Sequence, residues 1–545
     1  MQQSRSETSQ VSRRAFLRGA LGTSAVVAGA AAIGTLGASP AAAQPGGPTA
    51  IVIGSGFGGA VAALRLGRAG IRTTVFERGR RWPIRKDGNT FATFDNPDKR
   101  AAWFSDTAGI SSSMQVPVER YPGVLETVKG NGIESVHGAG VGGGSLVFGA
   151  FSAQPDKADF DEVFPGGTGY DELARVYFPR ARKMLDATGL PRDILATPNY
   201  TGARTWLNTI ARYGAEPAFP DFSVNWDVVR RELAGKARPG VSVGDLSYGV
   251  NSGAKNSVDR NYLPAAEATG NVVVKAMHEV FDIRPRSRKK GFVVRARLID
   301  DKRRTLRTVT AEADYVFMAA GSFHTTSLLV RARAQGALPA LSGKIGDGFG
   351  GNGDFLIVRT NLRDAQGPRQ GGPGYARIRD DRLPGGPAAM IYQAAPLPAP
   401  LGGAALTHLI QVHTDERGTI DYVHGTRGTE LNYPFREGTS VLDRRANVFA
   451  RHFHQRTEVR HGTPHNGLVI SSRAAGFGSG ATFHGLGGVA VGQGANAGGS
   501  VKGYDNLFVV DGAFCPGAVG LVNPSLTITA LAERTMDRFL ASIGR

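Results

Sequence analysis

Residues 49–77 read TAIVIGSGFGGAVAALRLGRAGIRTTVFE, and this stretch decides the fold. A short apolar run leads into a glycine-rich turn, a helix-like segment and a second apolar run that ends at Glu77. Gly54 lets the chain leave the first strand sharply, Gly56 lets the backbone approach a pyrophosphate, and Gly59 lets the helix pack on the sheet. A glycine turn needed only for packing is the alternative. The two strands, the helix and the terminal acid in register favour a dinucleotide-binding unit.

The start of this helix is the expected phosphate site. The free N–H groups and the positive dipole end of a helix N-terminus attract an anion. Glu77 ends the second strand, where a carboxylate accepts hydrogen bonds from ribose hydroxyls. The residues of this unit expected to bind the cofactor are Gly54, Gly56, Phe57, Gly58, Gly59 and Glu77.

Residues 1–43 have the pattern of a twin-arginine signal peptide. The motif SRRAFLR at 12–18 is followed by an uncharged stretch from 19 to 37 and by three alanines that end at Ala43. The stretch is too rich in glycine and alanine for a convincing membrane span. We therefore expect export of the folded, cofactor-loaded protein and cleavage near Ala43, which predicts a secreted enzyme. A basic disordered tail is the alternative.

The chain is strongly basic. Its 545 residues carry a formal charge of +18, and about +15 remains after removal of a signal with four arginines and one glutamate. Such a charge is compatible with nucleic acid binding, contact with an anionic membrane or simple solubility. The basic runs at 284–290 and 302–304 flank a predicted hairpin and contain no interleaved aromatic residues, so we expect solvated hairpin ends and no nucleic acid partner.

A single cysteine, Cys515, limits the other chemistry. One thiol excludes an intrachain disulfide and a cysteine zinc cluster. No metal site is predicted.

A second glycine cluster, GAGVGGGSL at 138–146, needs a physical reason. Glycines are required where a flat ring or a phosphate lies against the backbone. A flexible linker is the alternative, but Val136 and Val147 flank the cluster where a linker would have polar residues. We interpret it as a second wall of the cofactor site, formed by Gly138, Gly142, Gly143, Gly144 and Ser145.

Further elements follow from periodicity. Residues 170–185 have helical spacing, residues 271–283 are predicted as a strand, and 292–299 pairs with 306–309 as a hairpin. A strand at 314–319 turns through Gly321 into a helix at 325–334, a second strand–turn–helix unit at a sheet edge. Residues 346–465, rich in Gly and Pro, indicate a mostly β region.

Three motifs near the C-terminus carry a resemblance: TFHGLGG at 482–488, NLFVVDG at 506–512 and VNPSLTITALAER at 522–534. The same resemblance includes the turn at 54–59, GGGSL at 142–146, YFPRA at 177–181 and LLVRAR at 328–333. With these motifs the whole mature chain resembles the glucose-methanol-choline (GMC) family of FAD-dependent oxidoreductases. Within that family it is most similar to the bacterial cholesterol oxidases that bind FAD noncovalently.

The resemblance implies an α/β fold in which a Rossmann-type FAD-binding domain is interleaved with a mostly β-sheet substrate-binding domain. The implied FAD-binding parts are residues 44–155, 256–345 and 481–545. The implied substrate-binding parts are residues 156–255 and 346–480. A monomer is expected.

The resemblance also assigns the site residues. His484 and Asn523 match the catalytic pair, and an imidazole that titrates near neutrality can accept the proton of an alcohol. Pro524 can start a helix whose N-terminus faces the flavin pyrimidine edge. Asp511 suits a hydrogen bond to the ribityl or phosphate part of the cofactor, and Val280 offers its backbone to the adenine. The cofactor-binding residues of this half are Val280, Gly321, Asp511, Gly512, Asn523, Pro524 and Ser525.

Two positions depart from the cholesterol oxidase pattern. The active-site glutamate that shifts the steroid double bond is replaced by Gly402, so isomerisation is expected to be weak or absent. Phe148 stands where those enzymes have an asparagine associated with oxygen access, which leaves O2 or another acceptor open.

The leading hypothesis is thus a secreted FAD-dependent oxidase or dehydrogenase for a bulky apolar secondary alcohol of sterol type. Peripheral contact with membranes would suit such a substrate. A family member for another hydroxylated substrate or acceptor is the first alternative, and a non-catalytic flavoprotein is the second. A nicotinamide enzyme would leave the clusters at 142–144 and Asp511 without a role.

Overall fold

The computed structural model describes residues 46–109, 115–166, 168–360, 367, 369–394, 405–426, 428–436, 438–457, 467–469 and 480–545. Its strands, in chain order, are β1 Thr49–Ile53, β2 Arg72–Phe76, β3 Thr107–Ala108, β4 Val116–Pro117, β5 Leu125–Lys129, β6 Ile133–Gly138, β7 Phe151–Ser152, β8 Asp221–Phe222, β9 Val272–Lys275, β10 His278–Pro285, β11 Phe292–Ile299, β12 Thr305–Ala313, β13 Tyr315–Met318, β14 Asp347–Phe349, β15 Asp354–Thr360, β16 Gly374–Asp380, β17 Ala388–Gln393, β18 Leu406–Val412, β19 Gly418–Val423, β20 Gly428–Asn432, β21 Gly467–Val469, β22 Gly480–Thr482 and β23 Leu507–Val509. Its α-helices are α1 Phe57–Arg68, α2 Lys157–Val163, α3 Tyr170–Glu172, α4 Phe178–Met184, α5 Arg192–Leu195, α6 Thr201–Tyr213, α7 Trp226–Leu233, α8 Tyr262–Glu267, α9 Ser322–Ala334, α10 Val441–Thr457 and α11 Ser525–Ser542. The predicted signal at 1–43 and Gly402 lie outside the described residues.

A parallel sheet in the order β23-β13-β1-β2-β9 forms the centre of the nucleotide-binding half. Its strands are apolar runs because the sheet is buried: helices α1, α8 and α11 pack together against it, and β10 and β12 of the meander contact β2 and β1. The predicted strand–turn–helix–strand unit at 49–77 is β1, α1 and β2, with β1 and β2 in parallel register. The interleaved α/β architecture is confirmed, since this sheet collects strands from distant parts of the chain. The domain boundaries stay a prediction.

The second strand–turn–helix unit is present as β13 and α9, but β13 is not a lateral edge strand. It pairs in parallel with β1 on one side and with β23 on the other. The expected edge position is wrong because the short apolar run Leu507–Val509, far along the chain, adds the outer strand. Helix α9 also begins three residues earlier than predicted, at Ser322, whose hydroxyl donates to the Gly487 carbonyl at 2.7 Å.

The strand predicted at 271–283 is two strands in two sheets. β9 belongs to the parallel sheet, whereas β10 begins the antiparallel meander β10-β11-β12. Met277 breaks the run, with a φ of 59°, in the left-handed region where a non-glycine residue is uncommon. The hairpin predicted at 292–309 is confirmed as β11 and β12.

The predicted helix at 170–185 is present with one interruption. Between α3 and α4 the chain forms a π-helical turn over Leu173–Tyr177. Pro179, in the first turn of α4, has no N–H to donate to a carbonyl of the preceding turn. The wider π turn accommodates that missing hydrogen bond without ending the helix.

The mostly β region is the antiparallel sheet β16-β17-β18-β15-β21 with the smaller sheet β14-β19-β20. β18 has the predicted bounds, Leu406–Val412. The prediction misses the helix α10, which packs against β15 and β18 and contacts α6, which packs against β16. Trp206 of α6 and Phe453 of α10 meet there, with ring centroids 5.4 Å apart. The large sheet is therefore covered on this side, and its other side forms a pocket wall.

Within the described residues, no helix combines the length and the hydropathy needed to cross a bilayer. The same part of the chain contains no group of three or more His, Cys, Asp and Glu side chains placed to hold a metal ion.

Candidate active site

The glycine turn after β1 is fixed by close packing. Gly54 has a φ of 100°, and a Cβ there would lie 2.2 Å from the Ala319 carbonyl oxygen. A Cβ on Gly59 would lie 2.2 Å from the Gly54 carbonyl oxygen, so α1 packs against the strand end through glycine alone. The first turn of α1 has no capping side chain and no acidic residue. Its N–H groups are thus available to an anion.

Glu77 supports this turn from the end of β2. Its buried carboxylate accepts hydrogen bonds from the Ser55 N–H at 3.1 Å and the Ser55 hydroxyl at 2.6 Å through Oε2. Oε1 accepts from the Gly79 N–H at 2.9 Å. Within the part of the chain that the structure describes, Oε1 accepts only this one hydrogen bond and keeps a second lone pair. Glu77 can therefore hold the turn and still accept from a ribose hydroxyl in the adjoining cavity.

The second glycine cluster forms the opposite wall. Gly138, Gly143 and Gly144 line the cavity, and a Cβ on Gly144 would meet no protein atom within 4 Å. Gly142 and Ser145 lie behind this wall. Ser145 donates its hydroxyl to the Gly142 carbonyl at 2.7 Å and accepts from the Val258 N–H at 3.0 Å. These two residues support the wall, as Gly59 supports the turn.

Asp511 connects two elements at the floor of the cavity. Oδ2 accepts from the Gly321 N–H at 2.8 Å and from the Thr325 hydroxyl at 2.5 Å, and Oδ1 accepts from the Ala513 N–H at 2.9 Å. Burial raises the pKa of Asp511 to about 6, although these hydrogen bonds oppose the shift. The residue thereby joins the start of α9 to the turn after β23.

The predicted helix after Asn523 begins at Ser525, directly after Pro524. The Pro524 carbonyl accepts the first helical bond, from the Ile528 N–H at 2.9 Å. The Ser525 hydroxyl donates to the Phe151 carbonyl at 2.6 Å and so does not cap the helix. Asn523, Pro524 and Ser525 all line the cavity, and the first turn of α11 has no acid. Its positive end thus faces the cavity.

His484 and Asn523 lie side by side, as the resemblance implies. The Asn523 Nδ2 is 3.4 Å from the His484 Nε2. The other ring nitrogen, Nδ1, is 2.5 Å from Oδ2 of Asp354, the first residue of β15. The site is therefore a chain of three side chains, carboxylate, imidazole and amide, and its carboxylate is not among the predicted residues.

Asp354 is itself held from two directions. Its Oδ1 accepts from the Asn352 Nδ2 and the Gln411 Nε2, both at 3.2 Å. Asn352 also donates to the Val522 carbonyl at 2.9 Å and accepts from the Val519 N–H at 3.1 Å. One asparagine thus joins the start of β15 to the loop that carries Asn523.

One continuous cavity of about 580 Å³ joins these parts, a volume typical of small-molecule sites. Glycine backbone and helix N-termini form one end. The other end lies against the large antiparallel sheet and is mainly apolar. The apolar residues there include Phe148, Phe355, Leu356, Val358, Leu409, Phe435 and Leu442. His484 and Asn523 are part of the same lining.

A charged cluster also lines the cavity. Glu126 accepts from the Arg78 guanidinium at 2.6 Å and lies 2.7 Å from the His324 Nε2. Burial alone would raise the pKa of Glu126, but these two partners hold it well below its ordinary value. Burial lowers the pKa of the neighbouring His137 to about 3, so this ring is neutral. No periodic pattern in the sequence predicts this cluster.

The structure brings most predicted site residues to one cavity. Those that line it are Gly54, Gly56, Phe57, Gly58, Glu77, Gly138, Gly143, Gly144, Val280, Gly321, His484, Asp511, Gly512, Asn523, Pro524 and Ser525. Gly59, Gly142 and Ser145 lie behind the lining. Asp354 is the principal residue missed, and its only sequence signal is an acid directly before the apolar run FLIV at 355–358.

The residues present fit an elongated nucleotide cofactor with a flat ring. An uncapped helix start and a turn without side chains suit its phosphates. Gly144 and Gly321 line the cavity, and a Cβ at either position would meet no protein atom, so each leaves room for a ligand against the backbone.

Comparison with known proteins identifies a family for the chain. Two family models, both described as GMC oxidoreductase, match residues 24–336 and 439–532. Cholesterol oxidases of Mycobacterium tuberculosis (strain ATCC 25618 / H37Rv) and Acinetobacter baumannii are each 26% identical to the chain; the alignments cover 89% of this chain in both cases, and 89% and 93% of those proteins.

Solved structures of similar fold include pyridoxine 4-oxidase from Mesorbium loti, with a TM-score of 0.61 and 16% identity over 91% of this chain and 99% of that one. A fungal aryl-alcohol oxidase gives a TM-score of 0.63 and 13% identity over 92% of this chain and all of its own. At these identities the likeness concerns the fold.

Proposed function

The chain belongs to the GMC oxidoreductase family, and from this premise we propose that it is an FAD-dependent enzyme that oxidises the CH–OH group of a bulky apolar secondary alcohol of sterol type. The observation that carries the proposal is the position of His484 and Asn523. They line a cavity that is a glycine-walled cradle at one end and an apolar pocket at the other.

Noncovalent FAD is the proposed cofactor, and when bound it supplies the acceptor, at N5 of its ring, for the hydride that leaves the carbinol carbon. The residues that would hold it are the turn at 54–58, Glu77, the wall at 143–144 and the start of α11. Val280 and the Arg78–Glu126 pair line the cavity on the side of β2 and β10.

The chain's own residues would act on the proton. The Nε2 of His484 accepts the hydroxyl proton, because Nδ1 is committed to the buried Asp354. The Asn523 amide donates to the alcohol oxygen and fixes its direction. The loss of this proton and of the hydride converts the alcohol into a ketone.

The substrate class follows from the pocket wall and the relatives. Phe355, Val358, Leu409 and Phe435 provide an apolar surface with few polar groups to pair. Two relatives that align over 89% of the chain are named cholesterol oxidases. A fused-ring alcohol with one hydroxyl group suits such a wall, because it buries apolar surface without leaving polar groups unpaired.

We further propose that oxidation proceeds without double-bond isomerisation. Gly402, which replaces the expected glutamate, lies outside the described residues, although Ala394 before it and Thr407 after it line the cavity. Asp354 is a carboxylate in the cavity, but its two oxygens are taken by His484, Asn352 and Gln411. Because its Oδ2 is committed to the His484 ring, this carboxylate is poorly placed to carry a proton between carbon atoms of a steroid ring.

We expect a sterol with a 3β-hydroxyl group to bleach the flavin absorbance of the anaerobic holoenzyme faster than benzyl alcohol, pyridoxine or short aliphatic alcohols do. The product should lack the ultraviolet absorbance of a conjugated enone. Rapid anaerobic mixing gives the rates, and extraction gives the product. A purified folded protein that neither contains nor takes up FAD would end the proposal.

The same panel separates the alternatives. Faster reduction by a small aromatic alcohol would indicate another hydroxylated substrate. Comparing peroxide formation in air with dye reduction without air would identify the electron acceptor. The identity of this acceptor is open because Phe148 lines the cavity. No reduction by any alcohol would indicate a non-catalytic flavoprotein.

Export, oligomeric state and membrane contact remain parts of the proposal. The twin-arginine pattern at 12–18 and the alanines before Gln44 support secretion of the folded protein, which we propose is a monomer. The high positive charge supports peripheral contact with anionic lipid surfaces. Sedimentation of the mature protein with and without anionic vesicles tests the monomeric state and the membrane contact.

A further inference from the structure

We infer that Asp354 is the positioning residue of the base: its carboxylate fixes the His484 ring so that Nε2 faces the alcohol as the proton acceptor. The inference rests on the proposed function and deepens it. No motif of the family resemblance includes Asp354, and only the folded chain brings β15 to His484.

The short contact determines the tautomer. An ionised carboxylate only accepts hydrogen bonds, so the 2.5 Å contact with Oδ2 requires a proton on the His484 Nδ1. A neutral imidazole then has its lone pair on Nε2. That atom is next to the Asn523 amide and lines the cavity.

The carboxylate is rigidly supported. The Asp354 side chain is 5% exposed, against 19% for His484. Asn352 and Gln411 both donate to Oδ1, which leaves Oδ2 for the imidazole. Gln411 lies opposite Asp354 in the register of β15 and β18, so the sheet sets this geometry. A group held in this way maintains the base without a reorganisation step.

The proton balance of the step is simple. The hydroxyl O–H bond breaks, a new bond forms at Nε2, and His484 becomes an imidazolium beside the negative charge of Asp354. The attraction between these charges favours the protonated ring, while Asp354 itself takes up no proton. The proton returns to solvent after the product leaves.

Two other titratable groups that line the cavity, Tyr433 and His137, are neutral, whereas Arg78 and Glu126 form an ion pair with each other. Tyr433, which follows β20 and lines the cavity, has its pKa raised to about 12, mainly by burial. His137 on β6 is kept uncharged by burial. β22 contributes Thr482, whose hydroxyl accepts from the His484 N–H at 2.9 Å, and the loop before α11 contributes Asn523. Among the described residues, Asp354 is thus the one charged partner hydrogen-bonded to His484.

Asp354→Asn is the test, measured on the FAD-loaded protein. We expect the limiting rate of anaerobic flavin reduction to fall about tenfold, with little change in the substrate concentration at half-saturation. The midpoint of this rate against pH should move to lower pH by about one unit, because the imidazolium loses its adjacent negative charge. A residue with only a structural role would not move this midpoint.

Two further variants keep the test decisive. Asp354→Glu keeps the charge with altered reach, and should keep the wild-type midpoint at a reduced rate. If Asp354→Asn does not fold, the result for Asp354→Glu alone decides the test. Asp171→Asn, at a side chain 85% exposed, is the matched control and should change nothing.

Failure of this inference and failure of the proposed function give different results. An unchanged midpoint in Asp354→Asn, or a midpoint moved down in Asp354→Glu, overturns the inference. If His484→Ala leaves flavin reduction intact, the proposed function itself has failed.

Discussion

Replacing His484 with alanine lowers the rate of anaerobic flavin reduction by on the order of a hundredfold or more. In the proposed mechanism the imidazole beside Asn523 accepts the proton, and alanine leaves the alcohol without a base at this position. Asp354 would remain bound to Asn352 and Gln411, separated from the alcohol by the space that the imidazole had filled. Rapid anaerobic mixing at saturating sterol measures the rate.

The control for this variant is His424→Ala, which removes an exposed histidine in the turn after β19. Both variants should bind FAD and melt within a few degrees of the wild type. A His484→Ala protein that holds FAD and is reduced within a few-fold of the normal rate would contradict the assignment of the base.

Replacing Gly144 with leucine raises the dissociation constant of FAD on the order of a hundredfold, and by at least about tenfold. A Cβ at this position meets no protein atom, so the protein alone tolerates the side chain. The space belongs to the cavity, and four carbon atoms placed there compete with the cofactor. Titration of the apoprotein with FAD, followed by flavin fluorescence, gives the dissociation constant.

Gly189→Leu is the matched control, because Gly189 is exposed, has open space at its Cβ and lies outside the cavity lining. Both apoproteins should unfold near the wild-type temperature. An unchanged FAD affinity for Gly144→Leu would show that the cofactor does not lie against this wall.

The nucleotide-binding unit could be predicted from the sequence because its physics is local. Turn, helix start and acid lie within 29 residues, and the apolar runs are buried on both faces. The α10 helix can also be predicted from the sequence, since four of its buried residues have helical spacing: Leu442, Ala446, Phe449 and Phe453. The Gly- and Pro-rich sequence around it directed the interpretation to β structure instead.

Asp354 could not be found in this way. Its partner His484 is 130 residues further along the chain, and no periodic pattern links two side chains that meet only through tertiary structure. The break at Met277 could not be predicted either, because the sequence of an apolar run does not show that one methionine has a left-handed backbone conformation. The His484–Asn523 pair was available only through the family motifs.

The strand β15 begins with Asp354, and side chains two and four residues further, Leu356 and Val358, share the pleat face of this carboxylate and line the same cavity. Exchanges at these two positions would remodel the space offered to a ring system without touching the His484 contact. The shape of the substrate pocket can therefore change along one face of a single strand while the first residue of that strand keeps its contact with the base.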